Sequence, residues 1–354
     1  MNLSCCEQAG RQFSLPSHGP RCRRQRAAIA FGALILVNGG ASASEVTPFY
    51  SFNQSPVVQI HGLPALGNAR VLATKQTRVE LNESIANNFT GAPLASETLM
   101  LDGESYRTTL NVAHGISREM EVGIEIPYLS IRGGHLDSFV EGFHDLFGFD
   151  DGGRTAVPRD RLRYLYTRNG STLLDLSQPA SGVGDIRLTG AWQWHAPRSD
   201  SQYLAALRAS LKLPSGDSAN LLGSGGTDLA LWGSFACNAM VCGDGPQWYG
   251  GLGGLYVGKG DVLSPLQRDL VGFGSIGVGW PLWPDFVLKA QLDAHTPFYR
   301  DSEFGQLAGV AAQLLLGVTW QMGTRTTFDF ALSEDLIENN SSDIAFHFGL
   351  RMYY

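Results

Sequence analysis

Three histidines stand close to a hydroxyl side chain: His114 with Ser117, His135 with Ser138, and His295 beside Thr296. A histidine next to a hydroxyl is half of a base and nucleophile pair. With an orienting polar group it would make an acyl hydrolase acting on lipid. None of the three shows the spacing of nucleophile, base and orienter, so hydrolysis is the minor reading and no catalytic residue is assigned. Glu141, His144, Asp145, Asp150 and Asp151 carry metal-competent groups, yet they match no calcium loop or zinc motif and read as a solvated acidic loop. No metal or cofactor is expected.

The remaining polar chemistry recurs at alternate positions. Arg78, Glu80, Arg107, Glu121, Glu125, Arg187, Arg208, Lys212, Lys289, Asp293, Arg325, Asp329 and Arg351 each sit opposite apolar neighbours. In a strand, successive side chains point to opposite faces, so these charges share one surface and hydrocarbon the other. They are candidates for lining a pore. Being mixed in sign, they point first to cross-strand ion pairs filling the interior, and secondly to a polar solute path.

The elements that carry them are strands. Two-residue periodicity is clearest at Met120, Val122, Ile124, Ile126 and Tyr128. It predicts strands at Val71–Leu81, Tyr106–Val112, Met120–Tyr128, Ile186–Trp194, Tyr203–Leu213, Leu229–Phe235, Tyr249–Val257, Leu270–Trp280, Phe286–Ala294, Val310–Trp320, Thr326–Leu332 and Ile344–Tyr354. That is about twelve, near the length of a tilted membrane-crossing strand. Links after even-numbered strands are short and links after odd-numbered ones long, as in membrane barrels with periplasmic turns and extracellular loops. The predicted fold is therefore all-β: a transmembrane antiparallel up-and-down β-barrel. Backbone groups in hydrocarbon must all be paired, and a closed ring achieves this.

Compartment follows from the first residues. Arg21, Arg23, Arg24 and Arg26 precede an apolar run from Ala27 to Val37 and the small-residue site Ala41-Ser42-Ala43, which reads as a signal peptide over 1–43. Its removal takes five of 26 basic residues and one of 33 acidic ones, leaving 21 against 32, a net −11 that argues against nucleic acid as partner. Cys237 and Cys242 then remain and, in an exported chain, read as a disulfide. Residues 44–68 form a segment before the barrel, and 69–354 the barrel itself.

The last strand places Ile344, Phe346, Phe348, Leu350, Met352 and Tyr354 on one face and His347 and Arg351 on the other. A terminal strand of this kind resembles the assembly signal of bacterial outer-membrane barrels, read by the barrel assembly machinery. It should pair with the first strand. Phe49-Tyr50-Ser51-Phe52-Asn53-Gln54-Ser55-Pro56, Gly62-Leu63-Pro64, Phe143-His144-Asp145 with Gly152-Gly153-Arg154, and Leu213-Pro214-Ser215-Gly216 resemble an uncharacterised bacterial outer-membrane family, domain of unknown function 3187. More broadly, Gly182-Val183-Gly184-Asp185 and the Leu-Pro-Ser-Gly-Asp turn are similar to hydrophobic-solute channel barrels. That similarity implies a plug role for the segment carrying Phe49, Tyr50, Phe52 and Asn53; a periplasmic tail or an extra strand are the alternatives. Glycines 250, 251, 253, 254, 272, 274, 277 and 279 favour close approach of another backbone there.

Phe139, Val140, Phe143, Leu146 and Phe147 gather on one face of a short helix in the longest loop, expected to cap the lumen or lie at the membrane surface. The expected whole is a monomeric barrel in the outer membrane of a Gram-negative cell, in contact with lipid and lipopolysaccharide. It would pass a small apolar or amphiphilic solute. A structural or adhesive barrel is the alternative.

Overall fold

A computed structural model describes residues 46–147, 157–195, 203–237, 245–337 and 340–354. The strands are β1 (Thr77–Pro93), β2 (Glu97–Gly115), β3 (Met120–Arg132), β4 (Arg163–Arg168), β5 (Ser171–Leu176), β6 (Ala180–Val183), β7 (Arg187–His195), β8 (Tyr203–Lys212), β9 (Asp228–Cys237), β10 (Gln247–Val257), β11 (Leu270–Trp283), β12 (Phe286–His295), β13 (Ala311–Gln321), β14 (Thr326–Asp335) and β15 (Ile344–Tyr353). A helix, α1 (Asp137–Phe147), follows β3. β1, β2, β3 and β7 to β15 pair antiparallel with their neighbours, and β15 returns to β1, so twelve strands close the barrel. β4, β5 and β6 continue the sheet at the long-loop end, on the extended parts of β2 and β3.

The faces follow the predicted parity. Leu81, Leu110, Val122, Leu188, Trp192, Leu229, Leu231, Leu252, Ile276 and Leu316 are exposed on the outside, where hydrocarbon rather than water is the matching solvent. Acids interrupt this face toward the long-loop end, among them Glu83, which is hydrogen-bonded by Thr108 of β2. The opposite face is buried and polar.

The structure departs from the predicted strands mainly at the start. The first strand begins at Thr77 rather than Val71, and Gln76 closes a turn onto the Ala73 carbonyl. Val71 and Leu72 end a preceding segment that is buried almost continuously inside the barrel rather than paired in the sheet. The link from β1 to β2 is not a long loop. Both strands extend until three residues join them, with Leu94 N donating to Glu97 O. Residues 1–45, holding the signal-peptide reading, lie outside the described residues.

Closure rests on ten residue pairs between β1 and β15, from Arg78 opposite Tyr353 to Asn87 opposite Ile344. Leu81 and Leu350 face each other on the outer wall. Cysteines at both positions are expected to cross-link in the folded protein and not in urea-unfolded chains. A folded barrel that fails to cross-link would exclude this closure.

Candidate functional site

The barrel interior is occupied by residues 46–72. Their path is set by two constant offsets. Going up, Phe49 N donates to Gln291 Oε1 (2.9 Å), Ser51 Oγ to Asp293 Oδ2 (2.6 Å), and Asn53 Nδ2 meets His295 Nε2 (2.9 Å), so the segment runs parallel to β12. Coming down, Gly62 N donates to Asp228 Oδ2 (2.7 Å), and Leu66 O and Asn68 O accept from Trp232 Nε1 (2.7 Å) and Ser234 Oγ (3.3 Å), parallel to β9. The reversal at Ser55–His61 is a helical turn, with Gln59 N donating to Ser55 O. Glycine permits the close fit: a Cβ at Gly251 would strike Leu66, and one at Gly279 would strike Val46.

Toward the short-turn end, both arms are held by one line of charges. Lys289 pairs with Asp329 (3.0 Å), Asp329 with Arg351 (3.5 Å), Arg351 with Glu80, Glu80 with Arg78 (3.2 Å), Arg78 with Glu121 (3.9 Å) and Glu121 with Arg208 (3.1 Å). From this line Lys289 Nζ and Arg351 Nη1 donate to Thr47, while Glu121 accepts from Leu72 N and Arg208 Nε donates to Asn68 O. Removing one partner would leave a buried charge unpaired, typically costing about 3–5 kcal/mol. The ion pairs are thus also the anchor of the segment.

Toward the long-loop end lies a second cluster. Lys212 bonds Asp185 (2.5 Å) and Ser224 Oγ (2.7 Å) and lies 3.4 Å from Asp228. Asp185 also accepts from Gly216 N and Ser224 N, so the Gly-Val-Gly-Asp and Leu-Pro-Ser-Gly stretches are built to hold each other. His61 Nε2 meets Tyr299 OH at 2.9 Å, and that hydroxyl donates to Val57 O. Burial, with Lys212 adding to it, pushes His61 down to about 3 even with the Asp228 carboxylate 3.9 Å away. Val57, Val58 and Ile60 of the turn pack in one apolar core with Leu99, Leu101, Tyr164, Tyr166, Phe298 and Phe304.

Between the arms is a cavity of about 80 Å³ lined by Tyr50, Glu121, Glu125, Arg187, Arg208 and Trp232, among others. A larger one, about 290 Å³, lies at the short-turn end beside Thr47, Leu72 and Thr327. Tyr50 donates to Glu125, and burial followed by that carboxylate keeps its phenol protonated.

The sequence places Arg78, Glu80, Arg107, Glu121, Glu125, Arg187, Arg208, Lys289, Asp293 and Asp329 on alternate positions, and the structure buries most of them against residues 46–72. Arg325 is the exception. It sits exposed in the turn between β13 and β14, one residue short of the strand. The helix α1 forms, but not over the lumen. Asp137 accepts from Asn87, Glu104 accepts from the His135 and Leu136 amides, and Phe139 lies 5.7 Å from Phe346. Asn87, Glu104 and Phe346 all face outward, so the helix drapes the outer wall; amphipathicity alone does not say which side of a wall a helix covers. The side chains of Phe143 and Phe147 lie outside the described residues. Cys237 is disulfide-bonded, and Cys242 lies outside the described residues. No hydrogen bond joins His114 to Ser117, His135 to Ser138 or His295 to Thr296 Oγ1 among the described residues. His295 is instead committed to Asn53 and to the Thr296 carbonyl. Sequence reasoning missed His61, Gln193, Trp232, Gln291 and Tyr299. Parity carried a signal for two of them, since Gln291 lies between Lys289 and Asp293 on the same face and Gln193 shares the face of Arg187.

The family model for "Protein of unknown function (DUF3187)" matches residues 28–354. The chain belongs to that family. No curated protein matches this DUF3187 chain. In fold it is similar to the COG4313 outer membrane channel from Pseudomonas putida F1, with a TM-score of 0.54 at 12% identity over 81% of this chain and 98% of that one. Weaker likenesses are the NanC porin (TM-score 0.43, 10% identity, 77% and 98% covered) and the CymD monoaromatic hydrocarbon channel (0.35, 10%, 80% and 88%). The DUF3187 barrel thus shares its fold with the COG4313 outer membrane channel.

Proposed function

We propose that this protein is a channel of the Gram-negative outer membrane whose lumen is closed by its own N-terminal segment. The observation that carries this reading is how residues 46–72 are held. They add no strand to the sheet and are fixed by side chains of the wall, mostly through single hydrogen bonds. Such contacts can be exchanged for solute or water without opening the barrel, whereas a strand of the ring cannot leave. The solute we assign is small and amphiphilic, because Phe49, Phe52, Trp232 and Tyr249 share the interior with the charges. Among the described residues no serine, histidine and orienting acid come together in the interior, the Ser84–His347–Ser333 chain holding no carboxylate, which favours transport over hydrolysis. A purely structural barrel is the second reading, supported by the apolar core at the long-loop mouth.

Deleting residues 44–68 and measuring uptake in liposomes across solute classes separates the two. A plugged channel is expected to gain about tenfold or more in flux. A folded, heat-modifiable barrel with unchanged flux would favour the structural reading.

A further inference from the structure

Two luminal guanidinium groups are poorly satisfied. Arg107 on β2, 4% exposed, donates to Gln59 O at 3.2 Å; its Nε has no acceptor, and no carboxylate lies within ion-pair distance among the described residues. Arg187 on β7, 2% exposed, donates to His61 O at 3.1 Å. Its Nε and Nη1 make no hydrogen bond, and its one carboxylate, Glu125, stands off at an ion-pair distance of 3.5 Å. Gln59, 1% exposed beside them, leaves both its amide nitrogen and its amide oxygen unpartnered. What the two arginines share is Phe52, whose ring centroid is 5.1 Å from each guanidinium carbon. Elsewhere the luminal cations Arg78, Arg208, Lys212, Lys289 and Arg351 all have carboxylate partners. The facing acid, Asp293, is hydrogen-bonded by Ser51, Gln291 and Gln313.

A buried guanidinium lacking acceptors is costly, and an aromatic face compensates only partly. The group that completes it is planar and anionic, since a carboxylate takes two parallel N–H donors from one fork. Arg187 opens on the cavity between the arms. We infer that Arg107 and Arg187 are the specificity-determining residues of the channel and read the carboxylate of an amphiphilic organic anion, with Phe52 covering them while the segment is in place. This rests on the gated-channel reading and narrows its solute.

The test uses the mature chain in planar bilayers under a potassium chloride gradient, with benzoate and benzylammonium as probes. Phe52→Ala is expected to raise the current and shift the reversal potential toward chloride, with an anion preference of about fivefold or more. Benzoate should compete with chloride and benzylammonium should not. The Arg107→Gln, Arg187→Gln double variant should lose the preference while still conducting. Arg107→Lys with Arg187→Lys should keep the chloride preference but weaken benzoate competition, because an ammonium offers no fork. If the glutamine pair does not fold, the lysine pair and the benzoate competition decide. Current without anion preference, or a preference unchanged in the glutamine pair, overturns this inference and leaves the channel standing. No current from the wild type, the 44–68 deletion or Phe52→Ala overturns both.

Discussion

A chain carrying Ser51→Cys and Asp293→Cys is expected to stay closed when oxidised and to conduct when reduced. The two side chains meet at 2.6 Å on the rising arm, between a segment that belongs to no strand and the long-loop half of β12. Opening by departure of residues 46–72 requires this pair to separate, so a covalent tether should remove essentially all the flux. Reduction should restore it to the level of the untethered chain. The single variants are the controls, since reductant also reaches the Cys237 disulfide. Undiminished flux through the oxidised double variant would mean that solute passes with the rising arm in place. The about 80 Å³ cavity would then be part of the path rather than the space between two closed arms.

Lowering the pH is expected to loosen the same segment through His61. Docked, His61 is held down to about 3, chiefly by burial and then by Lys212; released, it returns to its ordinary value near 6.5. The docked state therefore refuses a proton that the released state accepts. Above pH about 6.5 both are neutral and docking is undiminished; below it docking weakens by about 1.4 kcal/mol per unit until pH about 3. From pH 6.5 to 5 the equilibrium should shift toward release by about fifteenfold. His61→Gln should remove that part of the response, and the difference between the two chains measures it. Equal pH profiles would show that His61 stays buried in the conducting state.

Much of the container was legible from residue alternation. All twelve wall strands were found, because the two-residue period has one meaning when one face meets hydrocarbon and the other a packed interior. The same rule misled at Val71 and Ala73, which lie outside the sheet: Val71 ends the buried luminal segment and Ala73 is exposed in the turn before β1. It was silent on β4 to β6, whose pairing onto the ends of β2 and β3 depends on partners far away in sequence. The helix α1 shows the limit most plainly. Its apolar stripe was visible, but Asn87 and Glu104, which hold it to the outside, lie roughly 30 to 60 residues upstream.

By itself the sequence determined which side chains face inward, how many strands close the wall, and at which end the short turns fall. These are local properties, fixed by a period of two and by link length. Only the tertiary structure decided what the inward charges do. Lys289, Asp329, Arg351, Glu80, Arg78, Glu121 and Arg208 come from six strands scattered along the chain, and only closure brings them into one line. It also decided that residues 46–72 run up β12 and down β9, and that Arg107 and Arg187 share the Phe52 ring while a carboxylate, Glu125, reaches only Arg187. Long-range pairing of charges depends on where strands meet around a ring, and no pattern along the chain records that.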